Sequence, residues 1–223
     1  MRVDWQAVAL SLQLALATTA ILALVGAPLA WWLATTRRRG RVAVEALTAL
    51  PLVLPPTVLG FYLLLALGPR GALGGAWEAL TGRPLAFSFA GLLVASLVFN
   101  LPFTVQPFVA AFARVDRRLV EASWTLGASR AATFARVALP LARGGLLSGM
   151  VLTFAHTVGE FGVVLMVGGN LPGETRTVSI AIYDHVQALE YEAAAHTSGL
   201  LLAFAFAVLA ATHALQPRAP GRP

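Results

Sequence analysis

Long apolar runs separated by short polar segments dominate this chain. Five runs cover residues 8–34, 42–67, 87–112, 146–167 and 199–215. A helix needs about 17–25 apolar residues to cross the hydrocarbon core of a bilayer, which is roughly 30 Å thick. Each run meets that requirement. The pattern therefore predicts an all-α integral membrane protein in which residues 1–223 form one domain with about five transmembrane helices.

Helix-breaking residues concentrate in the second and third runs, which contain Pro51, Pro55, Pro56, Pro102 and Pro107. Proline removes a backbone donor and obstructs helical bonding, and hydrocarbon cannot satisfy the carbonyl groups left behind. Prolines also kink membrane helices that simply pack against neighbours, so a structural role stays open. Because the fourth run carries an acidic residue, we predict that runs two, three and four line a polar route. Runs one and five are then expected at the periphery.

Glu160 is the only acidic residue deep inside an apolar run, where a carboxyl group costs on the order of a few kcal/mol. His156 precedes it by one helical turn and would share its helix face. Three roles remain open for Glu160: hydrogen bonds that hold a bent helix between Gly159 and Gly162, a gate, or ion coupling together with His156. Two ligands on one helix make a poor metal site, so no metal is predicted.

The composition excludes several classes of function. Hydrophobic residues make up 58% of the chain and charged residues 12%, and the mean hydropathy of +0.76 is typical of a membrane protein. The absence of cysteine excludes disulfides and thiolate metal sites, and no catalytic residue is predicted. The absence of lysine excludes a standard P-loop, whose lysine reaches the nucleotide phosphates. Any ATP must therefore be hydrolysed by a partner.

The net charge of +6 does not indicate nucleic acid, because the 16 basic residues are all arginines at the ends of apolar runs. Such residues accumulate in cytoplasmic loops and orient a membrane protein. One side of the membrane would hold Arg37, Arg38, Arg39, Arg41, Arg114, Arg117, Arg118, Arg130, Arg136, Arg143, Arg218 and Arg222. The other side would hold only Arg2, Arg70, Arg83 and Arg176. We therefore predict an external N-terminus, a cytoplasmic C-terminus and no nucleic-acid partner.

The polar segment at about 113–145 predicts two short helices. Leu119, Ala122 and Leu126 recur at helical spacing, and Gly127 is a natural end for the first helix. Ser129 is a natural N-cap for a second helix that continues to about residue 135. Two short helices with a sharp turn fit a groove on another protein. An amphipathic loop lying on anionic lipid is the alternative, and helix physics does not separate the two.

The residues of this segment resemble the cytoplasmic loop of binding-protein-dependent ABC importer permeases. The sequence Glu121-Ala122-Ser123 is followed by Gly127 and then by Leu139-Pro140, as in the E-A-A, G and I-x-L-P elements of that loop. Ser123 replaces the usual second alanine, which is a change between two small residues. The resemblance implies that these residues form an ATPase-coupling loop, whose short helices dock on cytoplasmic ABC ATPase subunits.

Other motifs are most similar to the molybdate permease subunit within that family. They are L-P-L-V-L-P-P-T-V-L-G-F at 50–61, T-L-G-A-S-R at 125–130, G-E-F-G at 159–162 and G-N-L-P-G-E-T-R-T at 169–177. Sulfate and thiosulfate permeases share the third element and the start of the fourth, and they remain the alternative. The resemblance implies the ABC importer permease (MetI-like) fold and a homodimer in the cytoplasmic, or inner, cell membrane. It also implies two ABC ATPase subunits, an external molybdate-binding protein, molybdate or tungstate as cargo, and no cofactor.

The candidate residues of the translocation pathway or gate are Pro55, Pro56, Thr57, Asn100, Thr104 and Glu160. The threonines and the asparagine, together with Thr157, offer neutral donors, and a helix that begins at a break aims its positive end at an oxyanion. An ion-coupled secondary transporter is the competing class. It would need an internal repeat and titratable groups at mid-membrane. No repeat is visible, and His156 and Glu160 are the only plausible coupling pair.

Overall fold

The computed structural model describes residues 3–215, with side chains described through residue 210, and every regular element in that part is helical. The elements are α1 (Trp5–Thr35), α2 (Arg41–Val53), α3 (Pro56–Leu67), α4 (Ala72–Thr81), α5 (Phe89–Ala113), α6 (Arg117–Thr125), α7 (Arg130–Thr133), a π-helical turn (Phe134–Ala138), α8 (Leu139–Gly159), α9 (Gly162–Gly168), α10 (Val178–Gln187) and α11 (Tyr191–Leu215). Arg2, Arg218 and Arg222, which entered the orientation count, lie outside the described residues.

Four helical stretches are long and apolar enough to cross a membrane: Trp5–Thr35, Phe89–Ala113, Arg130–Gly159 and Tyr191–Ala210. The bent pair of α2 and α3 supplies a fifth if the two helices count as one broken span. The prediction of an all-α membrane protein with about five spans is confirmed. Which end of the bundle faces the cytoplasm stays a prediction.

The first span is central within this chain, so its predicted peripheral position is wrong. Helix α1 packs along α5 and α8 and buries Leu14, Ala15, Ala30 and Leu33 almost completely. Its alternating small and large apolar residues let neighbouring helices approach it on several sides. Helix α11 meets the expectation for the fifth run, because only 11% of its apolar window is buried within the chain.

The second run is broken at its paired prolines. Helix α2 ends at Val53, Leu54 is extended with ψ 136°, and α3 begins at Pro56. A residue before proline avoids the helical region, and proline is well suited to a first helical position, so the pair Pro55-Pro56 ends one helix and begins the next. The two helices are bent by 112° relative to each other. The interruption predicted for the second run therefore lies at Pro55-Pro56, whereas α2 continues through Pro51.

The third run was expected to be interrupted, but α5 passes unbroken through Pro102 and Pro107. Proline has a φ compatible with a helix, and neighbouring helices can re-satisfy the backbone that it frees. Pro102 is buried, and Pro107 lies against Gly149 of α8, where a Cβ would be 3.1 Å from the proline Cβ. Close packing against neighbouring helices therefore keeps α5 continuous at both prolines, although a proline in an isolated helix would kink it.

The fourth run begins earlier and ends earlier than predicted. Helical structure is continuous from Arg130 to Gly159, so the second short helix does not stop near residue 135, nor does the span begin at Leu146. The amide of Leu139 donates to the carbonyl of Phe134, five residues back, within a π-turn that directly precedes Pro140. Such a turn accommodates a proline without ending the helix. At the other end the helix stops at Gly159, and α9 follows as a separate helix.

Helix α4 lies in the glycine-rich segment 68–85 between the second and third apolar runs, for which the hydrophobic pattern predicts no helix. Glycine is a poor helix former, but here it allows close packing. A Cβ at Gly74 would overlap the carbonyl oxygens of Leu67 and Gly68, so α4 rests directly on the end of α3. Helix α10 is a short helix between the fourth and fifth runs, and α11 begins at Tyr191 rather than at residue 199, where the fifth run begins.

The helix ends fall into two opposite layers. In one layer, Trp31 near the end of α1 contacts Phe112 of α5 and Phe134 of the π-turn, with ring centroids 5.4 and 6.2 Å away. In the other layer, the amide of Ala86 donates to the carbonyl of Leu67 and that of Phe87 to the carbonyl of Val167. Segment 113–138 therefore lies at one end of the bundle, and segments 68–88 and 168–177 lie at the other.

Two neighbouring glycines of α8 give a matched test of this packing. A Cβ at Gly145 would lie 2.5 Å from the Cβ of Ala111 on α5, whereas a Cβ at Gly144 would meet nothing within 4 Å. We expect Gly145→Ala to destabilise the fold by about 1–3 kcal/mol through overpacking. We expect Gly144→Ala to be neutral or stabilising, because alanine is the better helix former. Thermal unfolding in detergent measures both, and equal midpoints for the two variants would contradict the packing of α5 on α8.

Candidate functional site

A buried polar cluster lies in the middle of the bundle, where α5 passes the break between α8 and α9. Asn100 of α5 is fully buried at its centre. The Asn100 Oδ1 is 2.8 Å from Nδ1 of His156, which lies before the break, and Asn100 Nδ2 donates to Glu160 Oε2, which lies at the break, over 3.3 Å. Asn100 Nδ2 also donates to the carbonyl of Ser96 at 2.9 Å. One amide side chain therefore joins α5 to the last turn of α8 and to the break that follows it.

The direction of these hydrogen bonds follows from the chemistry of the groups. An amide oxygen only accepts, so His156 must donate through Nδ1, which fixes its hydrogen on that nitrogen. An amide nitrogen only donates, so Glu160 accepts from Asn100. The His156 ring is also stacked on Phe103, with centroids 3.7 Å apart. The histidine is therefore oriented by both its hydrogen bond and its ring contact.

The cluster retains hydrogen-bonding capacity that it does not use internally. Glu160 Oε1 and the hydroxyl of Ser96 are both buried without a hydrogen-bond partner. Within the described residues no group of three or more histidine, cysteine, aspartate or glutamate side chains gathers as a metal site. The cluster is therefore an amide–carboxyl–imidazole network with two buried polar atoms left unpaired, and its donor set does not suit a metal.

His156 and Glu160 do not share a helix face, which corrects the sequence interpretation. Helix α8 ends at Gly159, and Glu160 has extended backbone with ψ 139°. An extended residue leaves the helical repeat, so the two side chains are related through Asn100 rather than by one turn of helix. Sequence reasoning identified all three residues but missed their connection. The one available signal was that each is a polar residue inside an apolar run.

The breaks in the second and fourth spans lie against each other. A Cβ at Gly162, the first residue of α9, would be 2.8 Å from the Cβ of Pro56, the first residue of α3. One turn further, a Cβ at Gly60 would be 2.8 Å from the Cβ of Met166. Helices α3 and α9 therefore run side by side in the same direction from a common starting level. Their N-terminal ends, which carry positive partial charge, meet at mid-height of the bundle.

The other candidate pathway residues are divided between this site and the surface. Thr104 lies one turn beyond Asn100 and shares a hydrogen bond of 2.7 Å with Thr153 of α8, and both threonines are buried. Thr157 is buried and donates to the carbonyl of Thr153. Pro55, Pro56 and Thr57 are exposed at the start of α3. The structure therefore brings Asn100, Thr104 and Glu160 together, whereas Thr57 does not join them.

A second site, the knob, is formed by α6 and α7 (residues 117–133) at one end of the bundle. Asp116 caps α6 by accepting from the amide of Arg118 at 2.8 Å, and Ser129 caps α7 by accepting from Ala132 at 3.2 Å, as predicted for Ser129. Gly127 lies between the helices with φ +83°, a conformation that side chains with a Cβ rarely adopt. A hydrogen bond of 2.8 Å between the hydroxyls of Ser123 and Thr133 ties the two helices together.

The knob presents an apolar face to the outside. Leu119, Trp124 and Leu126 are 48%, 47% and 87% exposed. Glu121 and Arg117 form an ion pair of 2.7 Å on the exposed surface, and Ala122 is also exposed. Leu139 and Pro140 are not part of the knob, because they lie in the first turn of α8. The candidate coupling residues therefore fall on two connected elements.

At the opposite end, the motif at 169–177 forms a charged cluster that sequence reasoning did not assign. Arg176 Nε donates to Asn170 Oδ1 at 2.6 Å, and its guanidinium lies 3.5 Å from Asp184 of α10 and 3.9 Å from Asp4 at the start of α1. Two carboxylates around one arginine leave no net positive charge to hold an anion. The cluster therefore ties the start of α1 to α10.

The sequence matches the family model of the binding-protein-dependent transport system inner membrane component over residues 26–219. The chain belongs to this family. The part matched contains both the knob and the breaks of the permease.

Two curated relatives cover most of this permease. A protein of Azotobacter vinelandii named molybdenum transport system permease protein ModB is 52% identical over 210 residues, which are 94% of this chain and 93% of that protein. A protein of the same name from Escherichia coli strain K12 is 38% identical over 184 residues, 82% of this chain and 80% of that protein. The similarity therefore extends over nearly the whole permease.

Two solved structures share its fold. One is the crystal structure of a bacterial ABC transporter involved in the import of the acidic polysaccharide alginate, with a TM-score of 0.74, 17% identity and coverage of 95% of this chain and 79% of that one. The other is the bacterial alginate ABC transporter in complex with an alginate pentasaccharide-bound periplasmic protein, with a TM-score of 0.77, 17% identity and coverage of 95% and 77%. The predicted ABC importer permease fold is confirmed.

Replacing Asn100 tests whether the buried cluster holds the broken span of the permease. Asn100→Leu removes both amide contacts and leaves the buried Glu160 and the partly buried His156 without this partner. A buried polar group left unsatisfied costs about 1–3 kcal/mol, so we expect a clearly lower unfolding midpoint in detergent. Gln106→Leu is the control, because Gln106 is an exposed amide on the same helix and should change little. An unchanged midpoint for Asn100→Leu would show that the cluster does not stabilise the fold.

Glu160→Gln separates geometry from charge in the same assay. The glutamine keeps a carbonyl oxygen that accepts from Asn100, so its midpoint should stay close to that of the natural protein. If Glu160→Gln were as destabilising as Asn100→Leu, the charge of Glu160 and not its hydrogen bond would be the important property.

Proposed function

We propose that this permease is the transmembrane subunit of an ATP-driven importer that carries molybdate, with tungstate as a second candidate cargo, across the cytoplasmic membrane. The observation that carries the proposal is the 52% identity over 94% of the chain with a permease named for molybdenum transport. The P-G-E-T-R-T run at 172–177 favours molybdate over sulfate or thiosulfate by resemblance. The external molybdate-binding protein would deliver the cargo to the end of the bundle that carries segment 168–177.

The ATPase belongs to a separate partner in this proposal. The chain contains no lysine and therefore no standard P-loop. The knob offers the exposed apolar side chains of Leu119, Trp124 and Leu126 as a docking surface, and helices of this kind fit grooves on a partner. A homodimer of the permease would present two such knobs, one for each of two cytoplasmic ABC ATPase subunits.

The helical run Arg130–Gly159 provides a physical link between the knob and the breaks. It begins within the knob and ends at Glu160, and a helix of this length spans about 45 Å. A displacement of the knob would therefore be carried along one helix to the point where Asn100 holds the broken span. This link supports a gating role for Glu160 beside its structural one, as part of a two-state switch biased by the ATPase.

The N-terminal ends of the helices at the two breaks would attract an oxyanion but would bind it only weakly. Helices α3 and α9 both begin at mid-height, so their positive ends favour negative charge there. Thr57, exposed in the first turn of α3, adds a neutral donor there, whereas the donors of Asn100 and Thr104 are used within the buried cluster. A conduit must release what it admits, so weak contacts suit transport and selectivity would lie largely in the external binding protein.

Uptake assays test the cargo and the competing class of transporter together. The permease should copurify as two copies with a P-loop ATPase, and the reconstituted complex with its binding protein should import molybdate only with ATP. Unlabelled molybdate and tungstate should compete strongly, and sulfate weakly. Strong competition by sulfate would reassign the cargo to sulfate. Uptake by the purified permease alone would instead support an ion-coupled secondary transporter.

Substitutions at Gly127 test the coupling role of the knob. Gly127→Val forces a β-branched residue into φ +83°, at a strain of about 1–3 kcal/mol. Since 1.4 kcal/mol is about a tenfold change in population, ATP-driven uptake should fall by roughly tenfold or more while the protein stays in the membrane. Gly127→Asn should retain most uptake, because asparagine tolerates this conformation. Full ATP-driven uptake by Gly127→Val would remove the coupling assignment.

A further inference from the structure

Helix α4 carries an apolar face that no other described element covers. Leu73, Trp77 and Leu80 are 58%, 38% and 86% exposed. They stand at positions i, i+4 and i+7, and with about 100° between successive residues they fall within roughly 60° of one another. The helix therefore presents one narrow apolar stripe of large side chains.

The level of α4 in the bundle is fixed by its neighbours. It begins five residues after the end of α3, and the amide of Gly71 donates to the carbonyl of Gly68 at 2.9 Å in the connecting turn. The chain then returns to the start of α5, where the amide of Ala86 donates to the carbonyl of Leu67 at 3.2 Å. Since α4 lies between the ends of two membrane helices, it lies at the level of the membrane surface.

The rotation of α4 about its axis is also fixed. Gly74 contacts the end of α3 and is the buried residue of α4. It points about 90° away from the centre of the apolar stripe, and Glu78 points about 130° away. This arrangement suits a helix that lies flat in the membrane surface beside the bundle. The Gly74 side contacts the protein, the apolar stripe faces lipid, and the side that carries Glu78 faces water.

The charged residues at the two ends of α4 indicate whether lipid or a protein partner contacts the apolar stripe. Arg70 precedes the helix, Arg83 follows it, and both are exposed. Arginines at the edge of an apolar stripe match the phosphates of lipid headgroups, and tryptophan favours the membrane–water interface. These features favour lipid over a protein partner as the occupant of the stripe.

We propose that α4 is an interfacial helix, lying in the headgroup region with Leu73, Trp77 and Leu80 between acyl chains and Arg70 and Arg83 on lipid phosphates. The inference requires only that the chain spans a membrane and does not depend on the cargo. Because α4 rests directly on the end of α3, it would hold the second half of the broken span at a fixed depth.

Single cysteines report the environment of each face, since the natural chain contains none. Leu80→Cys marks the stripe, and Ala79→Cys is the matched control on an exposed position roughly 130° from the centre of the stripe. A nitroxide label is attached before the permease is assembled with its ATPase in vesicles, so that it marks only this chain. Collisions with oxygen, which concentrates in lipid, are compared with collisions with a water-soluble nickel chelate.

We expect position 80 to favour oxygen over the chelate several-fold more than position 79, with no change when external binding protein is added. A stripe that is reached by the chelate and protected by the binding protein would be a protein-docking surface, and the proposal would fail. Position 80 inaccessible to both reagents would show that a second copy of the chain covers it, and this would overturn the proposal as well.

Vesicle composition tests the arginines separately. Position 80 should lie deeper in vesicles of phosphatidylglycerol than in vesicles of phosphatidylcholine, because the arginines bind the anionic surface. The double variant Arg70→Ser and Arg83→Ser should lose that difference and keep the lipid exposure of position 80. An unchanged difference in the double variant would remove the arginines from the proposal.

Discussion

A membrane helix can be broken only where protein groups satisfy the backbone and side chains exposed by the break. This constraint shapes the middle of the permease. The fourth span ends at Gly159 and restarts at Gly162, and the side chain of Asn100 on α5 bonds both His156 before the break and Glu160 at the break. The amide is suited to this position because its oxygen accepts from a residue before the break and its nitrogen donates to one at the break.

The second break depends on the same region through close backbone contacts. Gly162 leaves room for Pro56, and Gly60 leaves room for Met166, so α3 and α9 can lie side by side. A side chain at either glycine would push the helices apart. The two broken spans are therefore a single structural unit, in which one break is held by hydrogen bonds and the other by its fit against the first.

The sequence predicted the spans better than it predicted where they break. Run length located α1 and α5, because hydropathy over about 20 residues integrates many side chains and tolerates local errors. The proline rule succeeded at Pro55-Pro56 and failed at Pro102 and Pro107. Consecutive prolines constrain each other and the residue before them, whereas a single proline in a packed helix can be accommodated by its neighbours. Helix α4 was missed because glycine propensity gives no information about a close approach to α3.

The candidate site shows the same limit. The polar residues inside apolar runs were visible, but the role of Asn100 as a bridge depends on the break at Glu160, which contains no proline. A glutamate between two glycines gives only a weak local signal for a break. Its position depends on a long-range hydrogen bond between Asn100 and Glu160, which are 60 positions apart along the chain. Single-sequence patterns report local preferences and cannot supply such a contact.

The proline at the start of α8 does not interrupt that helix, because a π-turn directly precedes it. Pro140 is the residue between the knob and the membrane that would be most expected to break the helix. The preceding π-turn accommodates this proline, and the helix continues to Gly159. A break at Pro140 would leave the knob free to move without displacing the membrane part of the span. With an intact helix, the first interruption after the knob lies at Glu160, whose side chain accepts from Asn100. The π-turn therefore keeps the knob and the membrane part of the span on one continuous helix as far as this break.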